Sequence, residues 1–134
     1  MTPSKLHFIV IDDSKLDCFI AEKIIRNTGR SETIKSFLQA GEAIEYIKNA
    51  PASDDGLKTI LLVDIQMPVM NGFEFVENFD RLPKEKREDY IIYVLSSSIN
   101  ENDLNRVRYH TSVKQFLNKP LTSNTLSALL DMVH

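Results

Sequence analysis

The chain has 134 residues, the size of one domain, and its 43% hydrophobic and 26% charged content supplies an ordinary globular core. A formal net charge of -3 argues against non-specific binding to nucleic acid or to an anionic membrane surface, which needs a basic patch. The one cysteine, Cys18, excludes an internal disulfide and a cysteine-rich metal site, and is expected to be a small packing residue in a helix.

Phe8 to Ile11 is a first apolar run, ending at Asp12 and Asp13. It is too short for a membrane span or a signal-peptide core, so a cytoplasmic protein without membrane contact is expected. Ser14 reads as a helix N-cap, with Asp17 three residues later in a capping-box arrangement. The helix that follows carries Leu16, Phe19, Ile20, Ile24 and Ile25 as its predicted inner face and ends at Thr28-Gly29. Thr33 to Phe37 alternates, with Ile34 and Phe37 apolar, which suits a half-buried edge strand. Gly41 to Asn49 reads as a second helix with Ala43, Ile44 and Ile47 inward, and Pro51 to Gly56 as a polar loop.

Ile60 to Val63 is a second apolar run, rich enough in branched residues to be a strand buried on both faces, and it runs into Asp64. Pro68 and Asn71-Gly72 stop regular structure before a third helix, Phe73 to Leu82, with Phe73, Val76 and Phe79 inward. Lys84 to Asp89 is entirely charged, of mixed sign, and reads as a solvated helix end or loop. Ile91 to Leu95 is the third apolar run and meets Ser96-Ser97-Ser98. Asn100 with Asp103 can cap a fourth helix that has little apolar content beyond Leu104 and Val107. Gln115 to Asn118 is a short mixed strand before Lys119-Pro120, and Thr122 caps a fifth helix with Leu126, Leu129, Leu130 and Val133 inward.

Five strands alternating with five helices imply an α/β fold, a parallel sheet with right-handed crossovers and helices on both faces. Strands one, three and four are apolar throughout and belong in the centre. Strands two and five are mixed and belong at the edges. The order 2-1-3-4-5 satisfies both conditions, and its switch point lies between strands one and three, where ligands bind at the carboxyl ends. Asp12, Asp13 and Asp64 all fall at that rim.

Three converging carboxylates repel: two unit charges about 5 Å apart cost about 3 kcal/mol at an effective dielectric of about 20. Such a cluster suits a hard cation, and oxygen ligands with room for water suit Mg²⁺. Lys119 at the end of strand five and a hydroxyl at the end of strand four point to a second, anionic ligand. A phosphoryl group fits, neutralised by the metal and Lys119 with Ser96 donating a hydrogen bond. One of the carboxylates is then the nucleophile and forms an acyl phosphate.

These segments carry a resemblance. Val10-Ile11-Asp12-Asp13-Ser14, Leu62 through Gly72 with its Met-Pro and Asn-Gly, Val94-Leu95-Ser96-Ser97 and Phe116-Leu117-Asn118-Lys119-Pro120 together resemble the receiver domain of two-component response regulators, of the single-domain chemotaxis type. The likeness runs from near Lys5 to the last residue. It implies the flavodoxin-like (βα)5 sandwich, a single receiver domain over 1–134 with no output domain, and a signalling switch rather than a turnover enzyme. It also implies roles. Asp64 is the phosphoacceptor. Asp13, Asp64 and the Gln66 backbone carbonyl bind Mg²⁺, with Asp12 acting directly or through water. Ser96 is the switch hydroxyl, Lys119 the phosphate partner and Phe116 the aromatic that changes position. Gln66 and Ser98 modulate the approach of water. The donor is a phosphohistidine on a sensor histidine kinase or phosphotransfer protein, and output to a protein target uses the surface of helix four, strand five and helix five. The chain then acts as a stand-alone regulator or as a shuttle in a phosphorelay.

The sequence departs from the family pattern in two places. Tyr109-His110-Thr111-Ser112 stands where small residues often precede strand five, and the spacing from Ser96 to Lys119 is about one residue long. Two other classes compete. A haloacid dehalogenase-type phosphatase also uses an aspartate after a strand, but its second aspartate is replaced by Gln66, which cannot do acid-base work. A flavodoxin-like cofactor carrier needs a Gly/Ser/Thr-rich phosphate loop where this chain has Asp12-Asp13.

Overall fold

A computed structural model describes residues 5–51, 55–97, 102, 105–106 and 109–133. Its strands are β1 (Leu6–Ile11), β2 (Ser31–Phe37), β3 (Thr59–Asp64), β4 (Tyr90–Ser96) and β5 (Val113–Asn118). The helices are α1 (Lys15–Asn27), α2 (Ala40–Asn49), α3 (Gly72–Asp80), the single turn α4 (Lys84–Arg87) and α5 (Ser123–Leu130). The strands form one parallel sheet in the order β2-β1-β3-β4-β5, a flavodoxin-like arrangement.

Successive residues of a strand point to opposite faces, so a run that is apolar throughout feeds two cores. Phe8, Val10, Ile60, Leu62, Tyr93 and Leu95 pack on one face with Cys18, Ala21 and Ile25 of α1 and Leu126, Leu129 and Leu130 of α5. Ile9, Ile11, Leu61, Val63, Ile92 and Val94 pack on the other with Ala43 and Ile47 of α2 and Phe73, Phe75, Val76 and Phe79 of α3. Burying each large aliphatic side chain contributes roughly 1.5–3 kcal/mol before ordering costs, which makes the three central strands the rigid part of the molecule. Among the described residues no helix is long and apolar enough to cross a membrane.

The helix α1 differs most from expectation. Its predicted inner residues Leu16 and Phe19 are 66% and 58% exposed, and Ile20 is exposed as well. The buried positions are Cys18, Ala21 and Ile25, with Ile24 packed at the margin. Apolar residues occupy most of the circumference of this helix, so periodicity alone does not choose the face. Close packing does: Cys18 and Ala21 are small enough to let the helix lie against β1, and the Cys18 thiol donates to the Asp12 carbonyl at 3.4 Å.

Three strands begin earlier than their apolar runs, because backbone pairing does not need apolar side chains: the Leu6 amide already donates to the Arg30 carbonyl at 2.8 Å. The charged segment takes the helical alternative, a single turn with no buried residue. It forms α4, where Arg87 Nε donates to the Leu82 carbonyl at 2.9 Å and Lys86 donates to the Ala50 carbonyl. Lys58 donates to the Glu88 carbonyl at 2.6 Å just beyond it. Of the expected fourth helix, Asn102, Asn105, Arg106 and Tyr109 are helical, while Ser98, Asn100, Asp103, Leu104 and Val107 lie outside the described residues. The Arg106 guanidinium stands 4.1 Å from the centroid of the Phe73 ring.

Candidate functional site

The carboxyl ends of β1, β3, β4 and β5 bring the expected residues to one rim. Asp12 follows the apolar run Phe8 to Ile11 and Asp64 ends β3 after Ile60 to Val63; both are buried, Asp64 to 6% exposure, whereas Asp13 is exposed. One oxygen from each of Asp12, Asp13 and Asp64 lies within 4.8 Å of the others. That spread and chemistry fit a hard divalent cation, since three carboxylates supply oxygen ligands and Asp13 opens the site to water.

Local hydrogen bonds aim the carboxylates. The Ser14 amide donates to Asp12 Oδ1 at 2.9 Å, and the Gln66 amide donates to Asp64 Oδ1 at 3.2 Å. The loop after β3 then folds back, with the Gly72 amide donating to the Ile65 carbonyl at 2.9 Å. Val69 in that loop has φ 68° and is fully exposed, an uncommon conformation for a β-branched residue. Asn71 and Glu74 close a capping box that starts α3.

Lys119 is the hub of the charges. Its ammonium lies 2.8 Å from Asp12 Oδ2, 3.1 Å from Asp17 Oδ2 and 3.5 Å from Asp64 Oδ2. Burial works against its charge, but the bonds to Asp12 and Asp17 and the charge of Asp64 outweigh it, so the ammonium is held above the ordinary lysine range. The Asp64 carboxyl is pushed up by burial and by the charge of Asp12, with Lys119 and the Gln66 amide pulling the other way.

Asp17 was not anticipated at the rim. Ser14 caps α1 by accepting from the Asp17 amide at 3.2 Å, but the Asp17 carboxylate goes to Lys119. The signal was its place in the first turn of α1, which starts at the same rim as Asp12.

Ser96 is fully buried at the end of β4, paired in register with Asn118, and its carbonyl accepts from the Lys119 amide at 2.9 Å. Phe116 sits opposite Val94, partly buried against the second core. The register between β4 and β5 shifts after Ile92, with Val113 opposite Ile92 and Gln115 opposite Tyr93. That bulge takes up a residue of β5, so the longer spacing from Ser96 to Lys119 still leaves both at the rim. In the unusual segment before β5, His110 Nδ1 lies 3.8 Å from Asp80 Oδ2.

A groove beside the site is lined by Ile20, Ala21, Ile24, Leu95, Pro120 and Leu121 together with Asp17 and Lys119. The exposed Leu16 and Phe19 belong to the same helix, α1, whose Ile20 and Ile24 line that groove.

Comparison with known proteins agrees with this fold. A receiver protein from Dyadobacter fermentans DSM 18053 superposes with a TM-score of 0.84 at 32% identity, covering 94% of this chain and 95% of that one. A two component response regulator from Cytophaga hutchinsonii gives 0.84 at 30% identity, covering 96% of each chain. The hybrid signal transduction histidine kinase E of Dictyostelium discoideum is 25% identical over 131 residues, 97% of this chain but 7% of that protein. The chain therefore spans a small part of that curated relative. The family model of the response regulator receiver domain matches residues 8–131, and the chain belongs to that family.

Proposed function

We propose that the protein is a phosphorylation-dependent signalling receiver in which Asp64 accepts a phosphoryl group from a phosphohistidine of a sensor histidine kinase or phosphotransfer protein. The observation that carries this reading is the meeting of the buried Asp64 carboxylate, the Lys119 ammonium and the Asp12–Asp13 pair at one rim. An Asp64 oxygen attacks phosphorus, the phosphorus–nitrogen bond breaks, and its electron pair stays on the donor imidazole. Lys119 stands within reach of the oxygens that gain charge, and the Gln66 amide fixes the orientation of the carboxylate.

Asp12, Asp13 and Asp64 are the side chains that would hold Mg²⁺, with the Gln66 carbonyl as a further oxygen ligand. When bound, the ion neutralises the phosphoryl oxygens. The exposed apolar residues of α1 and the groove at Lys119 offer the donor protein an apolar seat within reach of Asp64. Output follows the hydroxyl of Ser96 and the ring of Phe116 to the surface of residues 102, 105–106 and 109, β5 and α5, where a protein target reads it. The setting proposed is the cytoplasm.

The test uses acetyl phosphate as a small donor with Mg²⁺, read by mass spectrometry. One phosphoryl group is expected on the wild type and none on Asp64→Asn or in the presence of a chelator. Full labelling of Asp64→Asn overturns the assignment.

A further inference from the structure

We propose that Asp17 is a positioning residue that holds Lys119 back from the phosphoryl group and so limits how firmly the phosphorylated state is kept. The inference rests on the reading of Asp64 as the phosphoacceptor. A lysine ammonium has three N–H donors and no acceptor. Here three carboxylates surround it, with Asp17 at 3.1 Å nearer than Asp64 at 3.5 Å. Asp12 and Asp64 belong to the acidic group that suits a divalent cation, so an ion draws their charge toward itself. Asp17 stands outside that group and is half-exposed on the first turn of α1. It is the competitor for Lys119 that the cation does not remove.

The charges argue in the same direction. Four carboxylates, those of Asp12, Asp13, Asp17 and Asp64, would face one ammonium and, when it is bound, one divalent ion. A phosphoryl group adds negative charge to this set, and Asp17 opposes the addition. The plainer role for an acid in a first helical turn is to favour the helix N-terminus. That role predicts a change in stability and none in anion affinity.

The test compares wild type, Asp17→Asn and Asp17→Glu, each with saturating Mg²⁺ and beryllofluoride as the phosphoryl mimic, by calorimetry. An exposed ion pair bounds the effect, so Asp17→Asn should bind beryllofluoride about three- to fivefold tighter. The phosphoryl group loaded from acetyl phosphate should last longer by a similar factor. Asp17→Glu, which restores the carboxylate, should return both values toward wild type. Unchanged or weaker binding in a folded Asp17→Asn protein overturns the inference, and so does equal tightening in Asp17→Glu. Failure of the wild type itself to bind beryllofluoride counts against the Asp64 reading instead.

Discussion

Gly72→Ala isolates one distance on which the site depends. Gly72 is the first residue of α3, and a Cβ built on it would stand 2.8 Å from the Asp64 carbonyl oxygen and 2.8 Å from Ile65 Cα. Both neighbours are backbone, so no side chain can rotate away. Either α3 or the end of β3 must move by several tenths of an ångström. Replacing glycine by alanine in a helix normally stabilises by up to about 1 kcal/mol. Overpacking of this kind costs roughly 1–3 kcal/mol. The clash should win, leaving a net loss of about 1–2 kcal/mol, or about 0.5–1 M in the urea midpoint at a slope of about 2 kcal/mol/M. Gly41 is the control, because it lies in α2 with nothing within 4 Å of a built Cβ, and Gly41→Ala should be neutral or mildly stabilising. The second assay is labelling by acetyl phosphate. Displacing Asp64 from Lys119 and the acidic pair should slow labelling by more than the loss of folded protein accounts for. A Gly72→Ala protein with the wild-type midpoint and labelling rate would refute the argument.

Further predictions concern single groups. Burial and the charge of Asp12 raise the Asp64 carboxyl above its ordinary 3.8, so the folded state binds the extra proton and stability falls as pH rises from that value through the folded one. Asp64→Asn removes the penalty and should be the more stable protein at pH 7 without metal, with the gain shrinking toward pH 3.8 in urea titrations. The Cys18 thiol is pushed up to about 11 by burial and by Asp12, so roughly a thousandth of it is thiolate at pH 8. Native protein should therefore resist iodoacetamide at pH 8 and react once unfolded in urea, by mass spectrometry. Ser96→Ala should keep Asp64 phosphorylation but lose most of the beryllofluoride-dependent hydrogen-exchange change over residues 109–121. A change of wild-type size would remove Ser96 from the output route. Asp13→Ala should weaken Mg²⁺ binding more than Asp12→Ala in a metal titration followed by tyrosine fluorescence, and the reverse order would refute the ligand assignment.

The sheet was legible because β1, β3 and β4 are apolar on both faces, which only a central parallel strand needs. The rim was legible for the same reason: Asp12, Asp64 and Ser96 each directly follow or end such a run. The face of α1 was not, since Leu16, Phe19 and Ile20 compete with Cys18 and Ala21 for the inside, and residue size in three dimensions decides. Phe75, fully buried beside Phe73 and Phe79, was missed because α3 is apolar on more than one stripe. Asp17 was assigned to a cap because its spacing from Ser14 fits one, while its partner Lys119 is far away in sequence. The approach of Gly72 to Asp64 has no sequence signal beyond the glycine itself.

The two edge strands have a consequence for how copies of this chain meet in solution. An open parallel sheet ends in unpaired amides and carbonyls, which can recruit a strand from another molecule. Here β2 carries Lys35 and Glu32 exposed, and β5 carries Lys114 exposed. The Lys35 ammonium is held 5.0 Å above the Tyr46 ring rather than trailing free. A sixth strand arriving beside β2 would have to strip water from a positive charge held in place, and one arriving beside β5 would meet the exposed Lys114. The β2 side is thereby guarded against growth, and concentrated protein should resist strand-to-strand polymerisation there.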